Sequence, residues 1–376
     1  MLKNLKIAPK LLLLILIPII GMAFFSAKNL MTNVTTLSNM HTTESLVAVS
    51  VASGNLVHEL QKERGLSSGF LASKGAKFRE ELQKQRQASD AMQKKLTETI
   101  AAQGEKISSI KKALDKVTEE TGRLQATRSS VDGQSIEPKE AIGFYTGLIS
   151  ACLEIGFSVA GRAGEPEIAL AALGYAAFQG AKESFGQLRA TVNGVLASDS
   201  CDADTFQRII RITTSAQNRM NNFERYSDPS IVKEYRESVS KAPSFQKTDE
   251  MLKTVVDKGI GGSGFGIPPE EWFSTITDKI NALKGVEDKL AANLVRLAGV
   301  KDASAKQDLT LSIILTILLS ASTVIFGFLI VPSITVPLKE LVNMLRDIAA
   351  WEGDLSRRLP EDRRDETGEV AHWFNR

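Results

Sequence analysis

The 376-residue sequence contains only two cysteines and three histidines. Cys152 and Cys201 have no CxxC spacing and no histidine cluster beside them, which argues against a zinc or dithiol redox centre. Free thiols are the expected state of both, with a disulfide between them left open. His41, His58 and His372 lie far apart in the chain, and no hydroxyl or thiol sits in a recognisable nucleophile motif. The sequence therefore points to no catalytic residue, no metal and no cofactor. Charge of one sign is also missing, with 46 Lys and Arg against 44 Asp and Glu, so nothing calls for a nucleic acid. Runs of alternating apolar and polar residues rich in β-branched side chains are absent, which disfavours a sheet protein. The glycine-rich KGIGGSGFGIPPE at 258–270 has no Lys-Ser or Lys-Thr after it and no strand before it. It reads as a loop before a proline-initiated helix, not as a phosphate cradle.

Two apolar runs decide the topology. Residues 9–27, PKLLLLILIPIIGMAFFSA, carry no charge after Lys10 and follow Lys3 and Lys6. A span needs about 17 to 25 residues, so this run suffices. Phe25 stands where signal-peptide cleavage wants a small residue, which favours an uncleaved anchor. Residues 309–331, LTLSIILTILLSASTVIFGFLIV, carry no charge at all. Two spans put both chain ends on one side. Lys339, Arg346, Arg357, Arg358, Arg363 and Arg364, together with the N-terminal lysines, mark that side as cytoplasmic. The expected layout is a cytoplasmic N-terminus at 1–10, spans at 11–27 and 309–331, a periplasmic sensor at 28–308 and a linker at 332–376.

The sensor reads as helix throughout, with 3.5 to 3.6 periodicity over 29–73, 77–125, 138–160, 166–198, 203–226, 230–258 and 270–308. Between several of these lie turn sequences such as VDGQSIEP, GRAGEP and SDPS. The last helix keeps a coiled-coil rhythm through Ile276, Ile280, Leu283, Val286, Leu290 and Leu294, and no proline interrupts it before Pro332. The fold class is all-α: long helical bundles in the periplasmic sensor domain, two transmembrane helices and a partial coiled coil after the second.

Two helices carry charge where apolar residues belong. In the first, Val49, Ala52, Leu56, Leu60 and Phe70 form a stripe that continues through Glu63, with Arg64 at its edge. In the second, Ala171, Tyr175, Phe178, Lys182, Phe185, Arg189, Val192 and Leu196 follow one seam. A buried unpaired cation is costly, so Lys182 and Arg189 demand a carboxylate, carbonyl groups or a bound anion. Glu63 or Glu183 would serve as a structural partner.

QKERGLSSGFLAS at 61–73 and AKESFGQLRATVNGVLAS at 181–198 resemble the two signature segments of the nitrate- and nitrite-sensing (NIT) domain, an all-helical bacterial sensory module. FQRIIRITTSAQNRMNNF at 206–223 and EEWFSTITDKINALKGVEDKL at 270–290 resemble its later helices. The resemblance implies that arginines from separate helices gather around a small planar anion, nitrate or nitrite. By motif these are Arg64 and Arg189, with Lys182 a weaker candidate on the same seam and Ser67 and Ser68 as further donors.

Residues 332–376 resemble a HAMP linker: Pro337 lies early in the first helix, DLSRRLP resembles the connector, and DETGEVAHWFN resembles the start of the second helix. Together the resemblances imply a homodimeric receptor in the bacterial inner membrane, of the methyl-accepting chemotaxis type. Its partners would be a small anion, the membrane, and a histidine kinase with its adaptor, reached through cytoplasmic sequence beyond residue 376. A sensor kinase or cyclic-nucleotide enzyme with the same input, and a membrane adaptor whose seam charges are only salt bridges, are the alternatives.

Overall fold

The structure is a computed structural model that describes residues 5–349, 358–360 and 362–376. Lys3, Arg357 and most of the DLSRRLP connector lie outside the described residues. Among those described, regular structure is entirely helical, the all-α class expected from the periodicity. The helices are α1 (Ile7–Ala72), α2 (Arg79–Gln103), α3 (Lys111–Gly122), α4 (Leu124–Asp132), α5 (Pro138–Ala160), α6 (Pro166–Ser198), α7 (Ala203–Tyr226), α8 (Pro229–Glu237), α9 (Pro243–Lys258), α10 (Pro269–Ala349) and α11 (Glu366–Asn375).

The starts follow local chemistry. Prolines open α5, α6, α8 and α9, where a missing N–H costs nothing and the fixed φ suits the first turn. Asp202 caps α7 by accepting from the Thr205 N–H, and Asp228 caps α8 through the Ser230 N–H.

Two expected helices are broken. The segment 77–125 ends its first helix at Gly104, whose φ of 52° a side chain would resist, and a 3₁₀ stretch, Gly104–Ile110, precedes α3. The segment 230–258 breaks before Pro243, because the residue before a proline is pushed out of helical conformation; Ala242 is extended at φ −60°, ψ 141°. Elsewhere neighbouring segments fuse. The runs 9–27 and 29–73 form the single helix α1, and α10 continues through Pro332 and Pro337.

The chain divides into two compact units. In the unit of residues 38–304, one core joins Leu46, Leu56 and Leu60 of α1 to Leu148, Ile149 and Ile155 of α5, with Ile107, Ile110 and Val117 closing it. A second gathers Tyr175 and Phe178 of α6 with Phe223, Val232, Phe245, Leu283 and Leu290. Phe178 and Phe223 meet edge to face at 4.7 Å. A third joins Leu188, Val192 and Leu196 to Ile209, Val255, Trp272 and Ile276. Each such side chain contributes roughly 1.5–3 kcal/mol by leaving water. Helices α1, α5 and α6 thus carry apolar residues on more than one side, and charge placed on them is carried indoors.

The unit of residues 1–37 and 305–376 contains the two most apolar stretches. By length and composition α1, α5 and α10 are each capable of crossing a membrane. Half of the apolar window of α5 is buried in the bundle, whereas none of that of α1 or α10 is covered by protein. Within this unit Asn29 donates to Ser312 Oγ at 2.8 Å, Asp365 caps α11 through the Thr367 and Gly368 N–H groups, and Arg363 donates to the Ser333 carbonyl at 2.8 Å.

Candidate functional site

Charge on the inner face of α1 is resolved into pairs. Glu63 is fully buried and accepts from Arg128 Nε at 2.7 Å, Arg128 Nη2 at 2.9 Å and the Tyr145 hydroxyl at 2.7 Å. Its partner is therefore neither Lys182 nor Arg189. Arg128 escaped the sequence reading although it sits in the buried stripe Leu124, Arg128, Val131 of α4, the same signal that singled out Arg189. Burial, reinforced by Glu63, holds the Tyr145 phenol well above its usual range. Ser67 donates to the Tyr145 oxygen at 3.4 Å and so belongs to this cluster.

Arg64 faces the other way, toward α6. It grips Glu183 with both terminal nitrogens, at 2.6 and 3.1 Å, and donates to Thr146 of α5 at 3.0 Å. Gln61 and Gln187 each add an amide N–H to the same carboxylate at 2.9 Å. Glu183 is thus saturated with donors, and both members of the pair are buried.

Arg189 crosses the same α1–α6 seam in the opposite sense. A Cβ on Gly65 would stand 3.1 Å from Arg189 Nη2, and a Cβ on Gly186 would stand 2.8 Å from Arg64 Nη2. Each guanidinium therefore passes over a glycine of the opposing helix, where any side chain would obstruct it. Arg189 is only partly buried at the residue level, donates to Thr277 of α10 at 2.9 Å and lies 4.8 Å above the Phe273 ring. Trp272 donates to its backbone carbonyl at 3.1 Å. Among the described residues no carboxylate lies within ion-pair distance of Arg189. Its pKa is pushed down to about 10, first by burial and then by Arg64, against the attraction of Glu183.

Lys182 turns away from both arginines. Its ammonium is buried against the Glu287 carboxylate of α10, which also accepts from Gln179 at 3.3 Å. Ser68, half-buried, makes no side-chain hydrogen bond among the described residues. The structure therefore brings Arg64 and Arg189 together and leaves Lys182 and Ser67 in adjoining polar clusters.

His58 lies 3.5 Å from Lys182. Its pKa falls to about 2, first through burial and then through the Lys182, Lys62 and Lys284 charges. The folded protein keeps this imidazole neutral, while the unfolded chain takes a proton near pH 6.5. Stability is thus full above that pH and declines on acidification, by at most about 1.4 kcal/mol per pH unit from this group. His58→Gln is expected to flatten the fall in melting temperature between pH 7 and pH 5, read by calorimetry at fixed ionic strength. An unaltered slope would acquit His58.

Both cysteines are buried free thiols, and burial pushes Cys152 up to about 12. Neither is reactive in this state.

Residues 332–376 match the HAMP domain. The methyl-accepting chemotaxis protein TlpQ of Pseudomonas aeruginosa is 58% identical over 43 residues, 11% of this chain and 6% of that protein. CtpM of the same organism, also a methyl-accepting chemotaxis protein, is 36% identical over 120 residues, 28% of this chain and 18% of that protein. The matches thus span less than a fifth of the length of these curated relatives. The solved structure of the NasR transcription antiterminator shares the fold, with a TM-score of 0.64 at 20% identity over 80% of this chain and 85% of that one. Residues 55–295, which include the whole Arg64–Glu183–Arg189 crossing, match the family described as nitrate and nitrite sensing, and the chain belongs to that family, with a HAMP domain following it.

Proposed function

We propose that the chain is the input part of a methyl-accepting chemotaxis receptor that binds nitrate or nitrite between α1 and α6. The observation that carries this reading is Arg189: a desolvated guanidinium, beside a second one, with no carboxylate of its own among the described residues. Arg64, Arg189 and Glu183 sum to one positive charge, which a monovalent anion would neutralise. Nitrate is flat with three acceptor oxygens, and a guanidinium is a flat fork of donors, so the shapes agree. Arg189 is the primary ligand in this reading, Arg64 divides its donors between Glu183 and the anion, and Ser68 is a candidate further donor. Ser67 and Lys182 act from behind, through Tyr145 and Glu287.

Anion binding at this crossing would lower the free energy of one arrangement of α1, α6 and α10 more than another, since Arg189 also holds Thr277 and Phe273 of α10. Only such a differential shifts a conformational equilibrium. Calorimetric titration of the protein in neutral detergent with nitrate, nitrite and chloride is the direct test, with loss of nitrate binding in Arg189→Ala as the expected result.

In the same proposal residues 28–308 face the periplasm, 11–27 and 309–331 cross the inner membrane, 332–376 form the cytoplasmic HAMP linker, and the receptor is a homodimer signalling to a histidine kinase. The positive-inside bias supports the orientation, and the uncovered apolar windows of α1 and α10 support two spans rather than three. Cysteines introduced at exposed Lys77 or Lys233 should react with an impermeant maleimide from outside the cell, and one at Arg364 only after the membrane is opened. Labelling of the Arg364 position in intact cells would overturn the topology; the buried native thiols keep the background low.

A further inference from the structure

A second cationic feature lies on the other side of α6. Along α7, Arg208, Arg211, Ser215 and Arg219 follow one another at steps of three and four and so share a face. With Ser184 and Gln187 of α6 and with Ile212 they line an open groove of about 470 Å³. Arginines on helices are usually solvated and matched by nearby acids, and much of this domain obeys that rule. Lys62, Arg123, Arg236 and Lys301 each meet a carboxylate within 4.0 Å. Among the described residues Arg208, Arg211 and Arg219 meet none, and the groove lining includes no acid. Arg219 is fixed in place. Its Nη1 donates to the Gly180 carbonyl at 2.6 Å and its stem packs over Gly180, where a Cβ would stand 3.0 Å from Arg219 Cδ. Its Nε and Nη2 make no hydrogen bond among the described residues and remain available.

We propose that this groove is a second ligand site, for a compact polyvalent oxyanion. The class follows from the donors: three guanidiniums and the Ser215 hydroxyl line one concavity whose lining holds no acid, while the Ser184 hydroxyl is already donated to the Gly180 carbonyl at 3.1 Å. Guanidinium forks favour planar carboxylates and the oxygen edges of phosphate groups, which they engage in pairs. The volume is several times that of nitrate and suits a ligand with two or three anionic groups. A diphosphate and a tricarboxylate share that chemistry. The site is separate from the Arg64–Arg189 crossing and does not depend on the nitrate reading, although Gln187, which lines the groove, also donates to Glu183 at 2.9 Å.

The test uses the full 376-residue protein in neutral detergent, titrated with pyrophosphate, citrate and nitrate at 150 mM salt. Saturable one-to-one binding of pyrophosphate or citrate is expected, and which of the two binds tighter identifies the source of the oxyanion. Arg208→Gln combined with Arg211→Gln, both exposed and without ion-pair partners among the described residues, should weaken that binding at least tenfold and leave the melting temperature unchanged. Arg189→Ala should leave it intact. Failure of both probes to saturate at this salt, or wild-type affinity in the double variant, would overturn the proposal. A receptor that ignores nitrate yet binds pyrophosphate would refute the nitrate reading and sustain this one.

Discussion

Arg64→Ala should destabilise the unliganded fold severely and Arg189→Ala hardly at all, although both remove a guanidinium from the same helix crossing. Arg64 neutralises Glu183 through two hydrogen bonds inside the protein. Its removal leaves a carboxylate that is 1% exposed with only the amides of Gln61 and Gln187. An uncompensated buried charge costs about 3–5 kcal/mol, which for a domain of this size lowers the melting temperature by on the order of 10 °C. Arg189 has no such obligation. Its loss forfeits one hydrogen bond to Thr277 and one aromatic contact with Phe273, and it relieves repulsion from Arg64. Those terms offset one another to within about 1 kcal/mol.

Nitrate should then raise the melting temperature of the wild type, as any ligand that binds only the folded state does, and leave that of Arg189→Ala unmoved. A melting curve and a titration on each variant decide the matter. If Arg189→Ala bound nitrate with wild-type affinity, the crossing would not be the site. If it melted as early as Arg64→Ala, Arg189 would have a structural duty that the geometry does not reveal.

The inner faces of α1 and α6 were legible in the sequence because a helical stripe is a local property. Glu63, Lys182 and Arg189 interrupt apolar rows at the right spacing, and all three lie at the helix interfaces. Arg64, at the edge of its stripe, is equally buried because α1 packs on α5 on one side and α6 on the other, which widens its inner face beyond a single row. The pairing of these charges was not legible. Arg128 and Glu287 lie 65 and 105 positions from the groups they neutralise, and no periodicity reports on which two stripes will meet. The two missed helix breaks have a different cause. Gly104 and Pro243 were visible, but the apolar rhythm continues past each of them, and local backbone preference at Gly104 and around Ser238 to Ala242 prevailed over that rhythm.

The pair of Lys182 and Glu287 should prove the strongest of the buried charges. Neighbouring residues of α6 divide its inner contacts: Glu183 reaches Arg64 of α1, and Lys182 reaches Glu287 of α10. Both members of the second pair are at most 1% exposed. Glu287→Ala is expected to cost about 3–5 kcal/mol by stranding the ammonium, and Lys182→Ala less, because Lys284 Nζ still lies 3.8 Å from the Glu287 carboxylate. Lys182→Met with Glu287→Leu should recover most of that loss, since apolar side chains of similar volume carry no desolvation penalty. The difference between the double variant and the sum of the singles would be a coupling energy of several kcal/mol, measured by urea denaturation. Additive singles would mean that water reaches the pair and screens it. The same double variant also settles the duty of Lys182. If Lys182 only ties α6 to α10, a stable Lys182→Met/Glu287→Leu protein keeps its nitrate affinity, because Arg64 and Arg189 are untouched. If it instead contributes positive charge to the anion, affinity falls although the fold is restored, and the sequence-based expectation of a third cationic ligand is the correct one.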